Sequence, residues 1–248
     1  MSPAPARAAT PGRAPDCGCV PVLPGDVGAL IVDFDGTLAD TSADHEQALR
    51  EALQPYSIDL SHQWYRDHIG LSIRDLLSQL PGAGHLPHEQ IIRWSRTRLL
   101  ASVHAITPIT CVVTLVHAAR RAGLPCAVAS GASRVLVGPG LKALGLAGEF
   151  ATVVAREDVA HGKPAPDLFA EAASRLGVAP RVCLAVDDAP EGVASARAAG
   201  MRVLTVIEGH LALLEDGSEA AANDGMPQHR HDQHTPPHDG TRPPDQGA

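Results

Sequence analysis

Lysine is nearly missing from this 248-residue chain, in which every basic residue is arginine except Lys142 and Lys163. The bias fits G+C-rich coding, and it makes each remaining lysine informative. Cysteine is sparse and odd in number, with Cys17, Cys19, Cys111, Cys126 and Cys183. Three of these lie in apolar runs, where a thiol behaves as a small hydrophobe, so a reducing, cytoplasmic setting is expected. Cys17-Gly-Cys19 lacks the further ligands at set spacings that a metal site needs. No apolar run is long enough to span a bilayer, and the stretch to Pro24 has neither a signal-peptide h-region nor the continuity of a transit helix, so no membrane partner is expected. Excess positive charge is absent as well. A formal net charge of −8 gives no reason to expect nucleic acid, and a small anionic substrate would need a local positive site against that field.

What is present is enough apolar material for a core, at 44% hydrophobic residues. A Pro/Ala/Gly leader runs to about Asp26 and a periodic body from about Val27 to Leu214. A polar tail follows, carrying His229, His231, His234 and His238. Leader and tail have compositions that bury no core and are expected to be disordered. In the body, short apolar runs precede turn residues at Ala29 to Phe34, Pro125 to Ala129, Thr152 to Ala155, Val182 to Val186 and Arg202 to Ile207. Helical patterns at Val112 to Ala122, Ser133 to Leu144, Asp167 to Leu176 and Glu191 to Ala199 alternate with them, which predicts an α/β fold wound around a parallel sheet. Such sheets bind ligands beyond the carboxyl ends of their strands. From Thr41 to Ile106 the rhythm breaks, and only helical segments are read: Ala43 to Leu53, His62 to His68, Ile73 to Leu80 and His88 to Val103. The expected organisation is a core of residues 27–40 and 107–214 interrupted by an all-helical insertion of residues 41–106, with Thr41 and Ser42 as helix N-cap candidates. No oligomeric state follows from the pattern.

Four segments carry chemistry. Asp33-Phe34-Asp35-Gly36-Thr37-Leu38 puts two carboxylates at the end of a buried strand. Burying charge there is costly without a cation, and two acids two residues apart can divide the work of nucleophile and proton carrier. Ser130 and Gly131, between a strand and a helix, offer a hydroxyl and backbone N–H groups to an anion. His161-Gly162-Lys163-Pro164 sets one of the two lysines in a loop, where its ammonium suits a phosphate and a carboxylate together. Asp187-Asp188 adds a second strand-end acidic pair. Three carboxylates from two strands demand a cation, and a hard, oxygen-liganded ion that also holds phosphate oxygens describes Mg²⁺.

In this order the four segments resemble the motifs of the haloacid dehalogenase superfamily, over about Gly28 to His210. The resemblance implies a Rossmann-like core, an inserted helical cap of type 1, and a phosphatase acting on a small phosphorylated metabolite through an aspartyl-phosphate. It makes Asp33 the nucleophile and Asp35 the general acid/base, with Ser130, the Gly131 amide and Lys163 on the phosphoryl group. Metal ligands would be Asp33, the Asp35 carbonyl and Asp188, with Asp187 close by or ligating. Substrate contacts would include Gly36, Thr37, His45 and the cap loop Gly70-Leu71-Ser72. The family commonly has Ser at the position of Ala189, and Pro-Gly where this chain has Thr110-Cys111. Relatives acting as β-phosphoglucomutases place Lys and Arg where this chain has Ile69 and Ile73, so a phosphatase is favoured over a mutase. An inactive relative that binds a phosphorylated ligand is the reading from a different class. No lysine lies between Thr41 and Ile106 to form the Schiff base of the phosphonate hydrolases, and Asp35 is a residue the dehalogenases lack.

Overall fold

The computed structural model describes residues 23–213. Residues 1–22 and 214–248, which hold most of the leader and all of the tail expected to be disordered, with the Cys17–Cys19 pair and the tail histidines, lie outside the described residues.

The alternation read from the sequence is present: β1 (Ala29–Val32), β2 (Ala39–Asp40), α1 (Ser42–Leu53), α2 (His62–Asp67), α3 (Ile73–Gln79), α4 (His88–Ser102), β3 (Thr107–Pro108), α5 (Thr110–Arg121), β4 (Cys126–Ala129), α6 (Arg134–Ala143), β5 (Thr152–Val154), α7 (Asp167–Leu176), β6 (Cys183–Asp187), α8 (Pro190–Ala198), β7 (Arg202–Ile207) and β8 (His210–Leu213). The main sheet has the order β5-β4-β1-β6-β7-β8. All neighbours pair in parallel except β8, which turns back antiparallel on β7. β1 is central, with β4 on one side and β6 on the other, so the winding reverses there and opens a crevice at the strand ends.

Each strand is buried on both faces because successive side chains point to opposite sides. Leu30 and Val32 of β1 pack with Val112, Leu115 and Val116 of α5. Ala29 and Ile31 pack with Leu168, Phe169 and Ala172 of α7. Fully burying each large side chain such as Leu30, Ile31 or Phe169 contributes about 1.5–3 kcal/mol. The helices α1 to α4 build an apolar centre of their own from Leu49, Leu53, Leu77 and Ile91, joined by Leu60 from the connection before α2. They enter and leave through β2 and β3, an antiparallel pair that registers Ala39 with Pro108 and Asp40 with Thr107. Among the described residues no helix is long and apolar enough to cross a membrane.

Two details depart from the expectation. Thr41 is the N-cap residue of α1, yet its hydroxyl makes no capping bond; it donates to Asp35 Oδ1 at 2.8 Å, a stronger partner because it is charged. The strand β8 was not expected. It follows a two-residue turn in which Glu208 and Gly209 both have positive φ, at 50° and 77°, the geometry of a tight hairpin.

Candidate active site

Asp33 follows β1 directly, Asp187 closes β6 and Asp188 follows it. Since β1 and β6 are hydrogen-bonded neighbours in parallel register, with Val32 beside Val186, their carboxyl ends deliver these acids to one place. Asp33, Asp187 and Asp188 each bring a carboxylate oxygen within 4.8 Å of the others. Lys163 enters from the loop before α7, with Nζ 2.7 Å from Asp33 Oδ1 and 2.6 Å from Asp187 Oδ2. The directed hydrogen bond goes to Asp187, so Asp33 Oδ1 has a charge partner but no aligned donor.

The charges do not balance inside this buried cluster. Burial pushes Asp33 well above the ordinary carboxylate range; Lys163 opposes this, and the acids around it add to the rise. Burial and the Asp187 charge raise Asp188 to about 6, against the Thr37 hydroxyl bond that lowers it. Lys163 is raised, since its two carboxylates outweigh its own burial.

Glycine shapes the floor. Gly36 has φ +76°, and a side chain there would run into the Asp188 carboxylate. Thr37 donates to Asp188 Oδ1 at 2.8 Å and accepts from the Asp188 amide at 3.0 Å, so this hydroxyl, expected on the substrate, positions an acid. The serine absent at Ala189 is covered by the backbone: the Ala189 amide donates to Asp187 Oδ1 at 3.0 Å.

Asp35 turns away from the cluster. His45 Nε2 lies 3.0 Å from its Oδ1. Burial alone would raise Asp35, but the His45 and Thr41 contacts outweigh it and hold the group below the usual range. His45 is raised because its carboxylate partner outweighs burial. The imidazole expected to meet the substrate is thus engaged by a catalytic candidate.

A cavity of about 280 Å³ lies over this cluster, lined on the core side by Asp33, Asp35, Ser130, Gly131 and Lys163. Ser130 is buried, and its hydroxyl accepts from the Ala132 amide at 3.0 Å. The insertion supplies the roof through Gly70, Leu71 and Ser72. Gly70 has φ +97°, and a Cβ there would stand 2.5 Å from that of Ala189, so only glycine lets the roof come this close. Ser72 caps α3, accepting from the Asp75 amide at 3.2 Å and donating to its carboxylate at 2.6 Å, which occupies the hydroxyl expected on the substrate. Sequence reasoning did not single out Tyr65, Ser95, Arg96, Arg156 or Glu157, which also line the cavity; none belongs to a local motif.

The model of the haloacid dehalogenase-like hydrolase family matches residues 30–206, most of the chain. The chain belongs to this family. It is 37% identical over 183 residues to the fructose-1-phosphate phosphatase YqaB of Escherichia coli (strain K12), a match covering 71% of this chain and 95% of that protein. Protein CbbY of Rhodobacter capsulatus is 32% identical over 202 residues, 71% of this chain and 83% of the relative. Among solved structures, a hydrolase from Pseudomonas syringae superposes with TM-score 0.68 at 28% identity, covering 74% and 85% of the two chains.

As a haloacid dehalogenase-like hydrolase with a helical insertion, the protein is an enzyme of the phosphoric monoester hydrolase type. The donor set fits a hard divalent cation: three carboxylates face one ammonium, and the buried Asp33 Oδ1 lacks an aligned donor.

Proposed function

We propose that this enzyme is a Mg²⁺-dependent phosphatase for a small phosphorylated metabolite, a sugar phosphate or a phosphoglycolate-like ester, and that it works through an aspartyl-phosphate on Asp33. The observation that carries the reading is the Asp33 carboxylate on the cavity floor, 2.7 Å from a buried ammonium and backed by two further acids. The sugar-phosphate substrate in the name of the 37% identical relative supports it.

In this reading Asp33 attacks phosphorus in line with the departing alcohol. Lys163, the Ser130 hydroxyl and the Gly131 amide balance charge on the phosphoryl oxygens. Asp35 gives the alcohol its proton, drawn from the pair it forms with His45, and then takes a proton from the water that opens the acyl phosphate. A Mg²⁺ held by Asp33, the Asp35 carbonyl and Asp188, with Asp187 beside it, would neutralise the negative charge that phosphate and acids bring together. The helices α1 to α4 act as a cap that keeps bulk water out during attack.

The mutases that this chain resembles place cations for a second phosphate at two cap positions that here hold Ile69 and Ile73. Both line the cavity as apolar groups, and the adjacent Arg74 is held by Glu89 at 2.5 Å. With a hexose 1-phosphate the products should therefore be inorganic phosphate and free sugar, with no bisphosphate primer required. Sustained formation of sugar 6-phosphate with little free phosphate would overturn the reading.

A further inference from the structure

Arg156, two residues after β5, ties three parts of the site together. Its amide donates to the Ala132 carbonyl at 3.0 Å, in the loop that carries Ser130 and Gly131. Its guanidinium donates through Nη1 to the Val159 carbonyl at 3.0 Å and through Nη2 to the Ala160 carbonyl at 3.5 Å, in the loop that leads to Lys163. The remaining donor faces the insertion, with Nε 3.8 Å from Asp75 Oδ2 of α3. Gly162, the residue before Lys163, lies against both groups: a Cβ there would stand 3.1 Å from Asp75 Oδ2 and 3.2 Å from Arg156 Nε.

That Nε is sealed from solvent and has no hydrogen-bond partner among the described residues. A buried cationic donor left unpaired is costly. Enclosed in this way, it is not open to a ligand in the cavity, so its acceptor is to be sought in the protein. Asp75 Oδ2 stands opposite it, beyond hydrogen-bond reach, and an approach of ~1 Å by α3 would bring the two to bonding distance. A loose ion pair would then become a charge-assisted hydrogen bond. Asp75 is in turn joined to the roof, because Ser72 of the Gly70-Leu71-Ser72 loop donates to the same Oδ2 at 2.6 Å.

We infer that Asp75 and Arg156 are positioning residues that form a latch between insertion and core, and that its closure over a bound ester sets the Lys163 and Ser130 loops around the phosphoryl group. Neither residue has to touch the substrate. An ester in contact with both the floor and the Gly70-Leu71-Ser72 roof favours the closed arrangement over the open one, which is the difference in affinity that a ligand-driven closure requires. The inference rests on the phosphatase reading and adds to it a coupling between the roof and the phosphate-binding floor.

The test is a double-mutant cycle on the full chain, read as hydrolysis of p-nitrophenyl phosphate with Mg²⁺. Asp75→Asn and Arg156→Gln should each lower kcat by about tenfold and change KM by less than about threefold, because closure orders the groups that meet the phosphoryl in the transition state. The double variant should lose no more than the worse single, since either change opens the same latch. Asp75→Glu keeps the acid, and Glu is the usual partner of an N-cap serine at that position, so its kcat should stay within about threefold of wild type. In the ligand-free protein the pair is not bonded, so shifts in thermal midpoint should simply add. Losses in kcat that multiply to about a hundredfold in the double variant, or a wild-type kcat in Asp75→Asn, would overturn the inference. Coupling seen in the thermal midpoints and not in kcat would overturn it too, in favour of a static ion pair. Should Arg156→Gln fail to fold, the contrast between Asp75→Asn and Asp75→Glu decides alone. A wild type that leaves even the aryl ester intact would instead defeat the phosphatase reading, and this inference with it.

Discussion

Lys163 lies 2.7 Å from Asp33 with both side chains almost sealed from solvent, at 2% and 8% exposure. An ammonium so placed is the counter-charge of the nucleophile candidate. Lys163→Met should leave buried carboxylates uncompensated, at a cost of about 3–5 kcal/mol in denaturant unfolding, and should abolish turnover. Divalent metal should restore part of the stability and none of the activity. Near-native activity in this variant would place the phosphate elsewhere.

Metal affinity should depend on pH through Asp188. Its carboxyl is raised to about 6 by burial and by Asp187, so below that pH a proton competes with the cation for the same oxygen. Mg²⁺ titrations followed calorimetrically should show affinity falling as pH drops through about 6 and levelling above it. A flat profile between pH 5 and 7 would exclude Asp188 as a ligand.

The Asp35–His45 pair should stabilise the fold within a bounded pH window. Raised His45 contributes fully below its unfolded value and loses that contribution as pH climbs through the higher folded one. Depressed Asp35 contributes above its unfolded value and loses that contribution as pH falls through the lower folded one. The stability gap between wild type and His45→Gln should therefore be widest from about pH 4 to 6.5 and close at alkaline pH. A gap that widens above pH 8 would contradict the pairing.

Gly70→Ala should separate the cap loop from the core. The substitution meets both a left-handed φ, costing roughly 1–2 kcal/mol, and the Ala189 side chain. Turnover of any ester should fall by more than about tenfold, because the loop would be displaced from the strand ends it covers. Unchanged kinetics would mean that cap and core work further apart than they stand here.

The sheet was legible because buried parallel strands read as unbroken apolar runs and each ended at a turn. The stretches β2 and β3 were not, since two residues carry no periodicity; their pairing is decided by residues far apart in the chain, Ala39 and Pro108 at one rung, 69 positions apart, and Asp40 and Thr107 at the other, 67 apart. β8 escaped notice because Glu208-Gly209 lacks the Asn-Gly signature of its turn. In the site, the sequence located the acids and Lys163 through their strand-end positions. It could not show that Thr37, His45 and Ser72 are occupied by Asp188, Asp35 and Asp75, because hydrogen-bond choice depends on which chains meet in space. Tyr65 and Ser95 were silent for the same reason: along their helices an aromatic and a serine read as ordinary face residues until the core is placed beneath them.

The most direct test of the account is where the phosphoryl group goes. Asp35→Asn, incubated with Mg²⁺ and an aryl phosphate and quenched in acid, should carry one phosphoryl group on the peptide containing Asp33, and chelator should prevent the labelling. Asp33→Asn should remain folded, take no label, and release phosphate at least roughly a thousandfold more slowly than wild type. Release at a near-native rate from Asp33→Asn with Mg²⁺ present, or a label on another residue, would contradict the account.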